Sequence, residues 1–267
     1  MKKIFKITAL ALTLAMAMVC FAGCGSKTAT TDNSTKQESA QTPAPETGKV
    51  LKMGTNAAFP PYEYKEGDKF VGIDVDIAEA LAKELGAELE VVDMEFDSII
   101  PSVDKGEVDF GMAGMTVTDE RKEMVDFTSS YATGIQVVIV KDGSDIKDID
   151  SLKGKKIGTQ LGTTGDTYAK DDFGAENVVS YGKGADAVIA LNGGDVDAVI
   201  IDNEPARVFV EQNSGLKILE SKYAVEDYAI AVKKGNTALA DEINAALEKL
   251  TTDGTIDNII KKYISAE

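Results

Sequence analysis

Short apolar runs alternate with amphipathic stretches from residue 50 onward, and this alternation restricts the possible folds more than any other feature of the chain. The apolar runs have the length of buried strands, and they cover residues 50–54, 89–92, 108–112, 156–159, 178–181 and 198–201. The other stretches have the apolar spacing of helices, and they cover residues 73–85, 97–104, 164–172, 185–191, 205–210, 239–250 and 256–263. Alternating strands and helices predict an α/β fold with mostly parallel sheets covered on both faces.

Two strand-like runs, residues 134–141 and 228–233, break this alternation by their length. We expect them to cross between two lobes, with the last two helices returning to the first lobe. Lobe one is then 49–133 plus 229–267, and lobe two is 134–228. A two-lobe α/β chain of this kind has its cleft where the strand ends of the two lobes meet.

The first 48 residues do not follow this pattern. A basic start and an apolar run over residues 7–21 predict a secretory signal peptide over residues 1–23, too short for a membrane-spanning helix. The small residues before Cys24 resemble the lipobox of bacterial lipoproteins, although Phe21 stands where these proteins carry Leu, Val or Ile. The resemblance implies that Cys24 is acylated; the alternative is an ordinary signal peptide with a chance cysteine. Residues 24–48 then form a disordered, lipid-anchored tether.

An excess of acidic residues disfavours several classes of partner. The chain has 45 Asp and Glu against 28 Lys and Arg, a formal charge of −17, which argues against binding to nucleic acid or anionic lipid. It has no histidine and two cysteines, of which only Cys24 remains after cleavage of the signal peptide. The sequence therefore predicts no internal disulfide, no catalytic histidine, no metal site and no cofactor.

Two motifs carry information about the family. The first runs from Gly72 to Ile77 (GIDVDI), and the second runs from Ala113 to Arg121 (AGMTVTDER). Together they resemble the polar amino acid–binding family of ABC-importer substrate-binding proteins, close to its glutamine-, histidine- and arginine-binding members. The resemblance extends over residues 49–267 and implies the two-lobe periplasmic-binding-protein (Venus flytrap) fold joined by two crossover strands.

The same resemblance implies a function. A monomeric, non-enzymatic protein at the outer face of the cytoplasmic membrane would capture a free amino acid, polar or cationic, by lobe closure. It would then deliver the amino acid to an ABC permease and its ATPase subunits. Two alternatives remain open: an amino acid–sensing lipoprotein without a transport role, and a periplasmic dehydratase of cyclic acids on the same fold.

Arg121 is the first candidate for ligand binding, because it is one of only two arginines in the chain. Its planar guanidinium can hold a carboxylate through two parallel hydrogen bonds. The resemblance implies that Arg121 binds the α-carboxylate of the ligand; the alternative is a surface arginine in a first helical turn. Gly114 allows the backbone to approach a ligand closely, and Thr116 adds a hydroxyl.

Asp202 and Gln160 each follow a predicted strand, at the edge where α/β sheets collect functional groups. The resemblance implies that Asp202 pairs with the α-ammonium of the ligand, a role compatible with capping the next helix. Thr164 lies in a glycine- and threonine-rich segment that opens a helix and can bind a carboxylate. The segment lacks the residues of a nucleotide-binding phosphate loop.

Phe59 and Phe96 match family positions that surround the ligand's side chain, although either could be plain core. Asn56 stands where several relatives carry Asp, and Gln160 stands where the glutamine-binding relative carries Lys. These neutral residues are compatible with a cationic amino acid, with glutamine, with cystine or with a broad range of ligands.

Asp74 and Asp76 suggest a calcium loop, because alternate aspartates recur in such loops. No further ligand follows at the required spacing. We therefore interpret them as acids near the N-terminus of the helix predicted over residues 73–85.

Overall fold

The structure is a computed structural model that describes residues 48–220 and 222–264. The predicted signal peptide, Cys24 and all but the last residue of the predicted tether lie outside these ranges. No helix in the described part of the chain has the length and apolar character needed to cross a membrane.

The described residues form strands and helices in close alternation. The strands are β1 (Val50–Thr55), β2 (Ala58–Phe59), β3 (Glu63–Glu66), β4 (Lys69–Val71), β5 (Glu88–Asp93), β6 (Phe110–Gly111), β7 (Val125–Lys141), β8 (Ile157–Gln160), β9 (Val178–Tyr181), β10 (Ala198–Asp202), β11 (Leu216–Ile218) and β12 (Ala224–Lys233). The α-helices are α1 (Ile73–Glu84), α2 (Phe96–Lys105), α3 (Asp119–Met124), α4 (Thr164–Phe173), α5 (Gly184–Gly193), α6 (Asn203–Gln212), α7 (Thr237–Thr252) and α8 (Thr255–Tyr263). Apart from the two long runs, each predicted strand or helix begins and ends within two residues of the bounds in the structure.

One mixed sheet runs through the described residues in the order β5-β1-β6-β12-β7-β10-β8-β9, and β11 also pairs with β7. Strands β5, β1 and β6 are parallel, and we call them the first half of the sheet. Strands β10, β8 and β9 are also parallel, and we call them the second half. The prediction of parallel strands is confirmed within each half, but β7 and β12 between them are antiparallel to each other and to their outer neighbours.

Strand β7 extends from one half of the sheet to the other, which explains why it is longer than the run predicted from residue 134. Near its start, Val125 packs in a cluster with Phe96 and other residues of the first half. Near its end, Val138 and Val140 pack on one face of the second half, while Ile139 packs on the opposite face. Because successive residues of a strand point to opposite faces, β7 has apolar neighbours on both sides.

Helix α6 begins earlier than the sequence predicts, at Asn203 instead of residue 205. Pro205 is therefore inside the first turn, where proline is tolerated because the N–H that it lacks would have no partner within the helix. The earlier start places Asp202 at the N-cap and directly at the end of β10.

A small antiparallel sheet of β2, β3 and β4 was missing from the sequence interpretation, because its strands are short and partly polar. Its register places Phe59 opposite Glu63. The chain then enters α1 through Gly72, whose φ is 129°. A Cβ atom at Gly72 would lie 2.2 Å from the carbonyl oxygen of Tyr62.

Gly72→Ala tests this close backbone approach. We expect it to lower the free energy of unfolding by at least about 2 kcal/mol, because it combines a disfavoured φ with a backbone clash. Gly215→Ala is the matched control, since Gly215 also has a positive φ but no atom within 4 Å of the added Cβ; its cost should be about 1 kcal/mol. Urea unfolding measures both, and equal losses would contradict the clash at Gly72.

Candidate ligand-binding site

One cavity lies between the first and second halves of the sheet. All nine residues predicted to bind the ligand line it, namely Asn56, Phe59, Phe96, Gly114, Thr116, Arg121, Gln160, Thr164 and Asp202. Glu63, Ala113 and Thr163 complete the lining. The empty volume, including the open mouth, is about 300 Å³. The sequence thus predicted which residues come together, while their contact with a ligand stays a prediction.

The topology of the sheet brings these residues together. Asn56 follows β1, Gln160 and Asp202 are the last residues of β8 and β10, and Phe96 and Thr164 are the first residues of α2 and α4. Within each half, the carboxyl ends of the parallel strands lie at one edge, and the helices that follow begin there. Three antiparallel pairings separate the halves, so the halves run in opposite directions. Because the two halves lie along different parts of β7, their carboxyl edges face each other across one space.

Arg121 connects the two halves of the sheet. Its backbone N–H is capped by the hydroxyl of Thr118 at the start of α3, with N and O 3.1 Å apart. Its guanidinium donates from Nη1 to the carbonyl of Thr116 at 2.7 Å and from Nη2 to the carbonyl of Gly162 at 3.0 Å, and it lies 5.4 Å from the ring centre of Phe96. Burial lowers the pKa of Arg121, but a guanidinium stays charged and has five N–H donors, so donors remain for a carboxylate.

Gly114 has a backbone conformation that suits glycine, with a φ of 53°, and a Cβ there would lie 3.3 Å from the ring of Phe59. Its N–H donates to Asp74 Oδ2 at 2.8 Å. The hydroxyl of Tyr131 donates to the same oxygen, also at 2.8 Å. Asp74, which the sequence interpretation assigned to a helix N-terminus, therefore also holds the loop that contains Gly114.

Glu63 shares a fully buried site with Asp74. Burial raises the pKa of Asp74 to about 7. Burial and then the charge of Asp74 raise the pKa of Glu63 well above its usual value. Burial therefore favours the protonated, uncharged form of each acid. Glu63 Oε1 and Oε2 and Asp74 Oδ1 have no hydrogen-bond partner among the described residues.

Asp76 points away from Asp74. Its Oδ2 accepts hydrogen bonds from Lys262 Nζ at 2.7 Å and from the hydroxyl of Tyr263 at 3.0 Å. No group of three or more His, Cys, Asp or Glu side chains in the described part of the chain could hold a metal ion.

Asp202 has hydrogen bonds at both of its carboxyl oxygens. Tyr228 donates its hydroxyl to Oδ1, and Gln136 Nε2 donates to Oδ2 at 2.8 Å. The side chain is 6% exposed. Burial, and next the charge of Glu226, raise the pKa of Asp202 to about 8. A cation at this point would favour the charged carboxylate and offset the cost of burying it.

Gln160 and Asn56 form a direct hydrogen bond between the two halves. Gln160 Nε2 donates to Asn56 Oδ1 at 2.9 Å, and Asn56 Nδ2 donates to the carbonyl of Met94 at 2.7 Å. The two neutral side chains are thus hydrogen-bonded to each other in the cavity wall, and neither adds a charge to it.

Two buried residues behind the cavity were missing from the sequence interpretation. Glu226 on β12 is 7% exposed and Gln136 on β7 is 1% exposed. The sequence contains one indication that Glu226 is buried. Residues two apart on a strand point to the same face, and Tyr228, two residues after Glu226, begins a strand-like run. No comparable signal singles out Glu63, which lies on the short strand β3.

Comparisons with a protein family, with individual proteins and with solved structures all find solute-binding or amino acid–binding proteins. Residues 51–266 match the family described as bacterial extracellular solute-binding proteins, family 3. The arginine-binding extracellular protein ArtP of Bacillus subtilis (strain 168) is 37% identical over 229 residues, which are 82% of this chain and 88% of that protein. The ABC transporter glutamine-binding protein GlnH of the same organism is 34% identical over 273 residues, which cover 100% of this chain and 99% of that protein. A solved structure, an ancestral arginine-binding protein bound to glutamine, aligns with a TM-score of 0.78 at 42% identity, covering 83% of this chain and 100% of that one.

The raised pKa values of Asp202, about 8, and Asp74, about 7, make stability depend on pH. Folding holds protons on these groups that the unfolded chain releases above about pH 4. The stability that they contribute is complete below that pH and is lost as the pH rises through their folded pKa values. Without added ligand, we expect the free energy of unfolding to fall by about 1 kcal/mol or more between about pH 5 and pH 8, and Asp202→Asn to reduce that slope. Urea titrations at three pH values test this, and a stability that rises over the range would contradict it.

Proposed function

The chain belongs to family 3 of the bacterial extracellular solute-binding proteins, and on that premise we propose that it captures a free amino acid and delivers it to an ABC-type importer. The family resemblance of the two sequence motifs is thereby confirmed. The relatives described above are binding proteins and not enzymes, as the sequence predicted for this chain. They are named for arginine and glutamine, which supports a polar or cationic amino acid as the ligand here.

One observation carries the proposal: a partly buried guanidinium and a buried carboxyl group line the same small cavity. Arg121 supplies the positive charge and Asp202 the negative one. A free amino acid has the complementary pair, an α-carboxylate and an α-ammonium. In our proposal Arg121 binds the carboxylate together with the backbone N–H groups at the N-terminus of α4. Asp202, with Thr116, binds the ammonium.

The side chain of the amino acid would occupy the other end of the cavity. Phe59 and Phe96 offer flat apolar faces, which suit aliphatic stems and also stack on cations. Asn56 and Gln160 offer hydrogen bonds without charge. Such an end accepts an amide as well as a guanidinium, and the solved ancestral relative bound to glutamine is in keeping with this.

Binding would act by closing two lobes, 49–133 plus 229–267 and 134–228. Strand β7 pairs with β12 over residues 125–136 and with β10 over residues 136–140, which supports a crossing near residue 134. Arg121 and Asp202 would come from different lobes. A zwitterion that bridges them makes contacts available only in the closed form, so it shifts the population toward that form.

The N-terminal segment would place this domain outside the cell. We propose that residues 1–23 are removed, that Cys24 is acylated, and that residues 24–48 tether a monomeric domain to the outer face of the cytoplasmic membrane. The closed domain would then reach the permease, whose ATPase subunits drive release. Mass spectrometry of the N-terminal peptide after expression in a bacterial host tests the acylation.

Arg121→Ala is the central test of amino acid binding. Titration calorimetry of the purified protein against the common amino acids should give binding to one or a few polar or cationic ones. Arg121→Ala should weaken that binding about 100-fold, the effect of losing paired hydrogen bonds to a charged group.

Arg207→Ala is the matched control, because it removes the other arginine of the chain, which does not line the cavity. It should bind as the wild type does. No binding by the wild type across all amino acids, or full affinity in Arg121→Ala, would contradict the proposal.

A further inference from the structure

Glu226 has an unusual concentration of hydrogen bonds on one oxygen. Oε2 accepts from the hydroxyl of Thr164 at 2.9 Å, from Gln136 Nε2 at 3.0 Å and from the hydroxyl of Thr116 at 3.4 Å. The other oxygen, Oε1, is buried and has no hydrogen-bond partner among the described residues. Glu226 does not line the cavity, but Thr116 and Thr164 do.

These donors come from different parts of the fold. Thr116 follows β6 in the first half of the sheet, and Thr164 begins α4 beside the second half. Gln136 and Glu226 lie on the two long strands, β7 and β12. A single carboxylate oxygen therefore joins both halves and both connecting strands.

The bonds to Glu226 also decide what the two threonines can offer a ligand. A hydroxyl has one proton and two acceptor lone pairs, whereas a carboxylate only accepts. Once Thr116 and Thr164 have donated their protons to Glu226, their oxygens can act only as acceptors toward the cavity. The two oxygens are 3.5 Å apart, so they form one acceptor pair.

We propose that Glu226 is a positioning residue that turns the hydroxyls of Thr116 and Thr164 into acceptors for the α-ammonium group of the bound amino acid. Gln136 strengthens this arrangement, because its Nε2 also donates to Asp202 Oδ2 at 2.8 Å. The amide thereby connects Glu226 to the carboxylate assigned to the same ammonium. This inference rests on the proposed amino acid binding and names a residue that sets which end of the ligand the hydroxyls contact.

The proposal predicts a coupling between Glu226 and the ligand's amino group. The probes are L-arginine and L-glutamine, each with the analogue in which hydrogen replaces the α-amino group, and the analogues are measured by competition. Glu226→Ala frees the hydroxyl protons, so it should weaken binding of the amino acids about tenfold. It should weaken binding of the des-amino analogues less than about threefold, because they lack the donor that the hydroxyls accept.

Two further variants separate positioning from a general structural effect. Glu226→Gln keeps an acceptor oxygen for the hydroxyls and should stay within about threefold of the wild type for every probe. Asp227→Asn changes the adjacent acid, which is exposed on the same strand, and should leave binding unchanged. Thermal unfolding without ligand checks that each variant is folded.

The outcomes are distinguishable. Equal losses for the amino acids and their des-amino analogues, or no loss in Glu226→Ala, would overturn the role of Glu226 while leaving amino acid binding intact. A loss in Glu226→Gln as large as in Glu226→Ala would also overturn it. Failure of the wild type to bind any amino acid would overturn the proposed function, and this inference with it.

Discussion

The antiparallel pairing of β7 with β12 is the constraint on which the rest of the molecule depends. These two strands separate the parallel strands of the first half from those of the second half. Their pairing reverses the direction of the second half relative to the first and places the halves along different parts of β7, so the carboxyl ends of both halves are directed toward one cavity. The register places Gln136 opposite Ala224, two residues from Glu226, so the polar groups behind the cavity belong to the same pair of strands that joins the halves.

Acidic groups outnumber basic ones around the cavity. Asp202, Glu226, Glu63 and Asp74 are all buried at or behind its wall, whereas Arg121 is the one Lys or Arg side chain among the lining residues of the described chain. Burial raises the pKa values of Asp202, Asp74 and Glu63, and a neighbouring acid adds to this for Asp202 and Glu63. An ammonium group beside these acids would offset part of the free-energy cost of burying them in the charged form. The electrostatics of the site therefore favour ligands that bring positive charge, and its neutral end at Asn56 and Gln160 leaves the side chain less restricted.

Two hydrogen-bond systems hold groups of the cavity wall in place. Asp74 fixes the N–H of Gly114 from one side, and the hydroxyl of Tyr131 donates to the same carboxyl oxygen. On the other side, Glu226 fixes the hydroxyls of Thr116 and Thr164. In both cases a buried carboxyl group that does not line the cavity determines the orientation of a group that does. Such support limits the conformational freedom that binding would otherwise have to remove.

The sequence by itself determined the alternation of strands and helices, the family and nine of the twelve residues that line the cavity. Periodicity and strand ends are local properties, so α1 and the carboxyl ends at Gln160 and Asp202 could be predicted from neighbouring residues. The small sheet of β2, β3 and β4 could not, because its strands are too short to show a period. Only the tertiary structure decided that Glu63 meets Asp74 and that Glu226 meets Thr116 and Thr164. These pairs are separated by many residues and come together through the register of β12 with β7 and the packing of helices on the sheet, which no local pattern specifies.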